Sequence, residues 1–363
     1  MDKGSYTYQA LSAKYEEFRA PDVQVSVDGT NLNSLSTPIL ELEVNLSIGA
    51  ASSCRFVIGD VYDAEQSKWR NDLDKKIKVG STLVIQGGYI KKEEIFYGYV
   101  DELSIEQGGE EFPRIVVNGL DGLGYLMSCR QPIYAGQKQP QKVVEEIFDK
   151  AISAGYARSK TVGNLSGFTV PIIKEKLDDF RYLSLLAERY CMSLLSVDGE
   201  LIFDNVARNS TSLVTLSANT NLIQFSKRLS LRGQVGQVEI WGRDVNQKFI
   251  KGSATSVSVG GSGKTAVQIA TAFQDAAIRE YCEYVRTEEE CNKLAQARLD
   301  SAAMGFVSGE GMCVGIPELI AGRFITIKGV SESMEGDYFI QKVCHRFTGE
   351  GYYTTFEVKG ARG

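Results

Sequence analysis

Apolar residues recur along this chain with two different periods, and the places where the period changes divide it. From Pro21 the period is two. Val23, Val25 and Val27 alternate with polar residues up to Asp28-Gly29, and Leu40, Leu42, Val44, Leu46 and Ile48 alternate over nine positions. That spacing turns one face of each strand to a core and the other to water. Residues 54–58, 83–86, 95–103 and 115–118 continue the series between turn-forming residues. Long strands with open edges are association hazards, so residues 21–135 are expected to close, or nearly close, into an antiparallel barrel.

The period lengthens after Pro140. Val143, Val144, Ile147, Phe148, Ala151 and Ile152 recur at helical spacing, and Gly155 stands where a helix would end. A second helix is expected from Asp178 as N-cap through Phe180, Leu183, Leu186, Ala187 and Tyr190, followed by a hairpin turning at Asp198-Gly199. Residues 136–220 therefore read as a mixed α+β domain. Period two returns at 222–231 and 238–244 and opens a second β region, 221–363. Within it, 252–263 is a small-residue loop, 264–285 suits either a short helix or a strand, and 287–304 is a helix. Thr287 and Glu290 form a capping box there, and Cys291, Leu294, Ala295, Leu299 and Ala302 share one face. Residues 1–20 form an arm in which Leu11, Tyr15 and Phe18 fall at helical spacing, fitting a short helix docked on a neighbour or a frayed terminus.

The two β regions carry the same punctuation. Gly80 to Gly87, Gly98 to Val100 and Ile115 to Gly119 are echoed by Gly322 to Gly329, Gly336 to Ile340 and Phe356 to Gly360, each roughly 240 positions later. The near-constant offset predicts one β module written twice. The expected fold class is mainly β: two antiparallel barrel domains with a central α+β insertion.

Composition narrows the function classes. A chain of 363 residues with 43% hydrophobic and 24% charged positions can bury several cores. Its net charge of −6 argues against nucleic-acid binding as the main task. The polar, acidic start MDKGSYTYQALSAKYEEF does not read as a signal peptide, and no apolar run approaches the roughly eighteen residues needed to cross a bilayer. Seven cysteines without C-x-x-C spacing read as reduced thiols rather than a disulfide framework or a zinc site.

Candidate chemistry is sparse. His345 is the only histidine, and Cys344 beside it in a strand must point to the opposite face, so no nucleophile–base pair forms there. Asp178-Asp179 and Glu288-Glu289-Glu290 sit at helix starts, where capping and dipole complementarity explain them. SVSVGGSGKTAVQ has the look of a phosphate-binding loop ending in Lys264-Thr265, but Ser258 stands where the first glycine belongs. It is read as a flexible loop. No catalytic residue, cofactor or metal site is expected, and an enzyme is the weakest of three readings.

Taken in order, several stretches make the chain resemble the bacteriophage late control protein D family, the tail-hub group that includes the myophage baseplate hub and the N-terminal part of VgrG. They are IFYGYVDEL, IVVNGLDGLGYLM, DDFRYLSLLAERYCMSLLSVDGELIF, QVGQVEIWGRD, TEEECNKLAQARLDSAA, IAGRFITIKG, GDYFIQKVCHRF and GYYTTFEV. The resemblance implies two tail-tube-like barrels per chain and a homotrimer whose six β modules fit a sixfold tube on one side and a threefold spike on the other. It implies tail tube protein, a spike and other baseplate proteins as partners, and assembly in the bacterial cytoplasm into a phage tail or injection particle. The chain ends soon after the second module, so the spike is expected to be a separate protein. A β-rich protein that binds glycans or another ligand on its own is the alternative.

Overall fold

Leu42, Val44 and Leu46 are buried while Glu41, Glu43 and Asn45 line the opposite face, so the alternation in the sequence is the two-sidedness of a real strand. The computed structural model describes residues 4–59, 61–63, 65–106, 113–132, 139–165, 167–168, 173–174 and 176–363. It begins with α1 (Tyr8–Lys14), whose N-cap Thr7 accepts the Ala10 N–H at 3.1 Å. This arm docks on its own chain, the outcome that neither sequence reading of it foresaw. Leu11 and Tyr15 are buried in the main core, and Tyr6 bridges in parallel to Val214.

The first β module comprises β1 (Asp22–Val27), β2 (Ile39–Ser47), β3 (Ser53–Ile58), β4 (Thr82–Gly88), β5 (Lys92–Glu106) and β6 (Arg114–Leu120). They lie side by side in the order β2-β3-β6-β5-β4-β1, each neighbour antiparallel. The central segment follows with α2 (Gly122–Leu126), α3 (Pro140–Ser153), β7 (Ser159–Val162), α4 (Asp179–Tyr190), β8 (Ser193–Val197) and β9 (Glu200–Asp204). Asp198 and Gly199 turn the β8–β9 hairpin with φ of 51° and 78°, the left-handed pair that a two-residue hairpin demands. The expected boundary at 135/136 lies outside the described residues.

The second module comprises β10 (Ser212–Ser217), β11 (Leu222–Leu229), β12 (Gln237–Arg243), β13 (Phe249–Ala254), β14 (Ala277–Tyr281), α5 (Glu288–Ala303), β15 (Val307–Val314), β16 (Phe324–Lys328), β17 (Gly336–Thr348) and β18 (Gly351–Gly360). Six of its strands run β11-β15-β18-β17-β16-β10, the strand order of the first module over again. One departure is the parallel pairing of β10 with β16 where β1 and β4 are antiparallel. Neither ladder runs full circle among the described residues. Instead β2 joins β17, Leu42–Ser47 against Phe347–Lys342, and fuses the two modules into one sheet over one core.

Packing divides the later half of the chain differently from its sequence pattern. Between β11 and β15 the chain leaves the main sheet and forms β12–β14 and α5. Val238, Ile240, Ala254, Cys282, Val285, Cys291, Leu294 and Leu299 from this excursion share a second core with Val143, Ile147 and Phe148 of α3 and Leu183 and Leu186 of α4. Residues 221–363 are thus split between two cores. The small-residue loop begins later than Gly252, because Gly252 to Ala254 belong to β13. A Cβ at Gly252 would lie 2.3 Å from the Asn292 nitrogen, so the glycine admits the backbone of α5.

Candidate assembly surface

Each residue that could have carried chemistry has a structural setting. His345 is fully buried; its Nε2 lies 3.0 Å from the Leu319 carbonyl, and its Nδ1 lies 2.8 Å from the Tyr352 hydroxyl and 3.2 Å from that of Thr354. Cys344 faces the other side of the sheet, where partial burial pushes its thiol up to about 11. Thr265 caps a helical turn with Gln268 in a capping box, and Lys264 exchanges backbone hydrogen bonds with Gly363. The glycine-rich segment therefore lies against the C-terminal residues. The seven cysteines are free.

The carboxylates at helix starts divide into two kinds. Asp178 accepts the Arg181 N–H at 2.8 Å, and Glu290 closes the capping box with Thr287, as the spacing predicts. Asp179 does something else. Its side chain is fully buried and ion-paired with Lys174, also fully buried, and with Lys150 at 2.6 Å. Nothing in the spacing of these three residues signals the pair, because they come from separate segments. A second buried carboxylate, Asp121, caps α2 and accepts from the Ser52 and Leu123 N–H groups at 2.8 and 2.9 Å. Asp244, which follows Gly242 at the same spacing as Asp121 follows Gly119, is only half-buried and holds its own turn, accepting from the Asn246 and Lys248 N–H groups at 2.8 and 2.9 Å.

Two strand edges of the main sheet stand out among the described residues. Among the described residues β11 pairs only with β15, so its outer edge ends the sheet. Ile223 and Leu229 on it are 50% and 52% exposed. β5 is longer than its neighbour: β4 covers Lys92 to Tyr99, while β6 covers Tyr99 to Glu106 on the other side. The stretch from Asp101 to Glu106 thus has one edge without a strand partner among the described residues, and Ile105 is 55% exposed. An unpaired row of backbone N–H and C=O groups is a template for another strand.

The polar face of the fused sheet connects these edges. Rows of facing residues cross both modules, one of them running Tyr353, Arg346, Glu43, Arg55, Asn118, Glu102. A shallow recess of about 360 Å3 on this face is lined by Glu310, Met312, Lys342, Cys344, Thr355 and Glu357, with both signs of charge. It offers no enclosed apolar pocket of the kind that buries a small ligand.

These features define a class: a mainly β chain with a duplicated strand order, a fused sheet and open edges. Solved structures of that fold include the 43 kDa tail protein of prophage MuSo2 from Shewanella oneidensis, with a TM-score of 0.66 at 16% identity over 94% of this chain and 99% of that one. The tail protein from Neisseria meningitidis MC58 superposes with a TM-score of 0.65 at 11% identity, over 94% of this chain and 96% of that one. The E. coli c3393 protein, described as a type VI secretion component similar in structure to the T4 tail proteins gp27 and gp5, gives 0.57 at 13% identity, over 93% and 78%. By sequence, the family model described as the Alg8 N-terminal domain matches residues 19–349, and the chain belongs to that family. That description differs from the late control protein D family that the motifs resemble, whereas the structural neighbours agree with the resemblance at the level of fold. No curated protein sequence matches.

Proposed function

We propose that this chain is a structural tail component, the baseplate hub of a contractile phage tail or a related injection system. It acts as a homotrimer that adapts a sixfold tail tube to a threefold spike, and it carries no catalytic site. The observation behind this reading is the strand order β2-β3-β6-β5-β4-β1 repeated as β11-β15-β18-β17-β16-β10 in one chain. Three such chains present six similar modules, which is what a threefold body needs in order to meet a sixfold one. Support comes from the tail proteins and the type VI secretion component that share the fold across more than nine-tenths of this chain. The partners of this reading are tail tube protein, a separate spike protein and other baseplate proteins, assembled in the bacterial cytoplasm and carried on the finished particle.

Sedimentation of the purified chain should give about three times its 39.9 kDa mass. Co-expression with tube and spike proteins from the same source should yield one complex holding all three. A monomer that binds glycans and ignores tube protein would overturn the proposal.

A further inference from the structure

The fused sheet contains its own instruction for a second junction. Within one chain, β2 pairs antiparallel with β17, and by the repeat β2 corresponds to β11 and β17 to β5. The edges of β11 and β5 that correspond to this junction have no strand partner among the described residues. Register can be transferred because both long strands carry a bulge at the same place, between Val100 and Glu102 in β5 and between Ile340 and Lys342 in β17. From these bulges the rows Glu102–Asn118–Arg55–Glu43 and Lys342–Glu357–Glu310–Ser226 coincide. Glu43 therefore matches Ser226, and Asn45 matches Arg228.

We propose that β11 of one copy pairs antiparallel with β5 of a second copy, Arg228 facing Ser104 and flanked by Glu102 and Glu106. The intrachain pairs Arg346–Glu43, Cys344–Asn45 and Lys342–Ser47 become Glu106–Ser226, Ser104–Arg228 and Glu102–Ser230 between chains. The occupant of each open edge is thus another copy of this chain. The inference rests on the trimeric reading above and adds to it which strands meet and in what register.

Charge complementarity argues for this pairing and against its rivals. In the internal junction the anions lie on β2, at Glu41 and Glu43, and the cations on β17, at Lys342 and Arg346. At the open edges the signs are exchanged. β5 carries Asp101, Glu102 and Glu106, whereas β11 carries Lys227 and Arg228. Arg228 is exposed and has no ion-pair partner in its own chain among the described residues. Pairing β2 with β5 would set Glu41 and Glu43 against Glu102 and Glu106. Pairing β11 with β17 would set Arg228 against Lys342 and Arg346. Both wrong combinations repel, so the charges select β2–β17 within a chain and β11–β5 between chains. Because each copy bears one edge of each kind, the contact is head-to-tail, the type that closes rings. It also covers Leu229 and Ile105, each more than half exposed in the single chain.

Disulfide trapping in the full chain tests the register, since facing residues of paired strands stand close enough to bridge. Ser104→Cys combined with Arg228→Cys should give reducible dimers and trimers under mild oxidation, whereas the single variants and the off-register pair Ser104→Cys with Ser226→Cys should stay largely monomeric on a denaturing gel. Arg228→Glu should weaken self-association at least tenfold by sedimentation, and adding Glu102→Arg and Glu106→Arg should restore it. Failure of the facing pair to cross-link, or equal cross-linking by the off-register pair, in a protein that still sediments as a trimer overturns this register and leaves the hub reading standing. A wild-type protein that sediments as a monomer at micromolar concentration overturns both.

Discussion

At the scale of single residues, the informative groups are buried charges. Lys174 and Asp179 are fully buried together, and Lys150 completes the site. Such a pair repays its desolvation only while both partners remain. Lys174→Met should therefore cost about 3–5 kcal/mol of unfolding free energy, measured by urea denaturation, since it strands a carboxylate with only the peripheral Lys150. Asp121 gives a different signature. Burial pushes its carboxyl up to about 6, against the pull of the Ser52, Gly124 and Leu123 N–H donors. A folded value above the unfolded 3.8 means that the folded state holds its proton longer. Its contribution to stability is thus present below about pH 4 and lost as pH rises through 6. At about 1.4 kcal/mol per pH unit, Asp121→Asn should gain roughly 2 kcal/mol relative to wild type between pH 4 and pH 7. Equal pH profiles for the two proteins would refute this account.

At the scale of elements, local chemistry was largely legible and packing partners were not. The Thr287–Glu290 capping box, the Asp178 cap, the Asp198-Gly199 hairpin and the buried face Tyr352, Thr354, Phe356 and Val358 all follow from spacing alone. These features depend on neighbours within a few positions. The docking of α1 does not: Tyr15 donates to Glu318 at 2.7 Å and Lys14 bridges Glu318 and Glu93, residues from both modules. No period in the first twenty residues encodes that destination. The assignment of β12–β14 to the second core was hidden for the same reason, because Val238 and Ile240 alternate as they would in either sheet. Gly252 held the clue, read as loop composition when it marks close approach. Gly252→Ala should force β13 from α5 and cost about 1–3 kcal/mol, whereas Gly155→Ala, with open space around it, should show only the strain of its φ of 80°. Thermal denaturation of the two variants side by side would separate a packing clash from a backbone effect.

At the scale of the whole molecule, the question is whether two cores make two folding units. The β8–β9 hairpin stands between them and belongs to both. Leu195, Val197 and Ile202 are buried in the main core, and Leu194, Leu201 and Phe203 in the second. A strand apolar on both faces has no solvent side, so neither core can open without exposing the hairpin to water. The two tryptophans report on the two regions separately, Trp69 beside the main core and Trp241 on the β12–β14 sheet that covers the second. Single-tryptophan variants, Trp241→Phe and Trp69→Phe, should show coincident urea transitions. Leu195→Ala should shift both midpoints together, by about 2–5 kcal/mol of stability, although Leu195 itself touches only the main core. Separate transitions, or a shift confined to the Trp69 signal, would mean that the hairpin merely borders two independent domains. Coincidence would mean that a chain built from a fused sheet and a shared wall moves as one body, the property that the proposed joint between a tube and a spike requires.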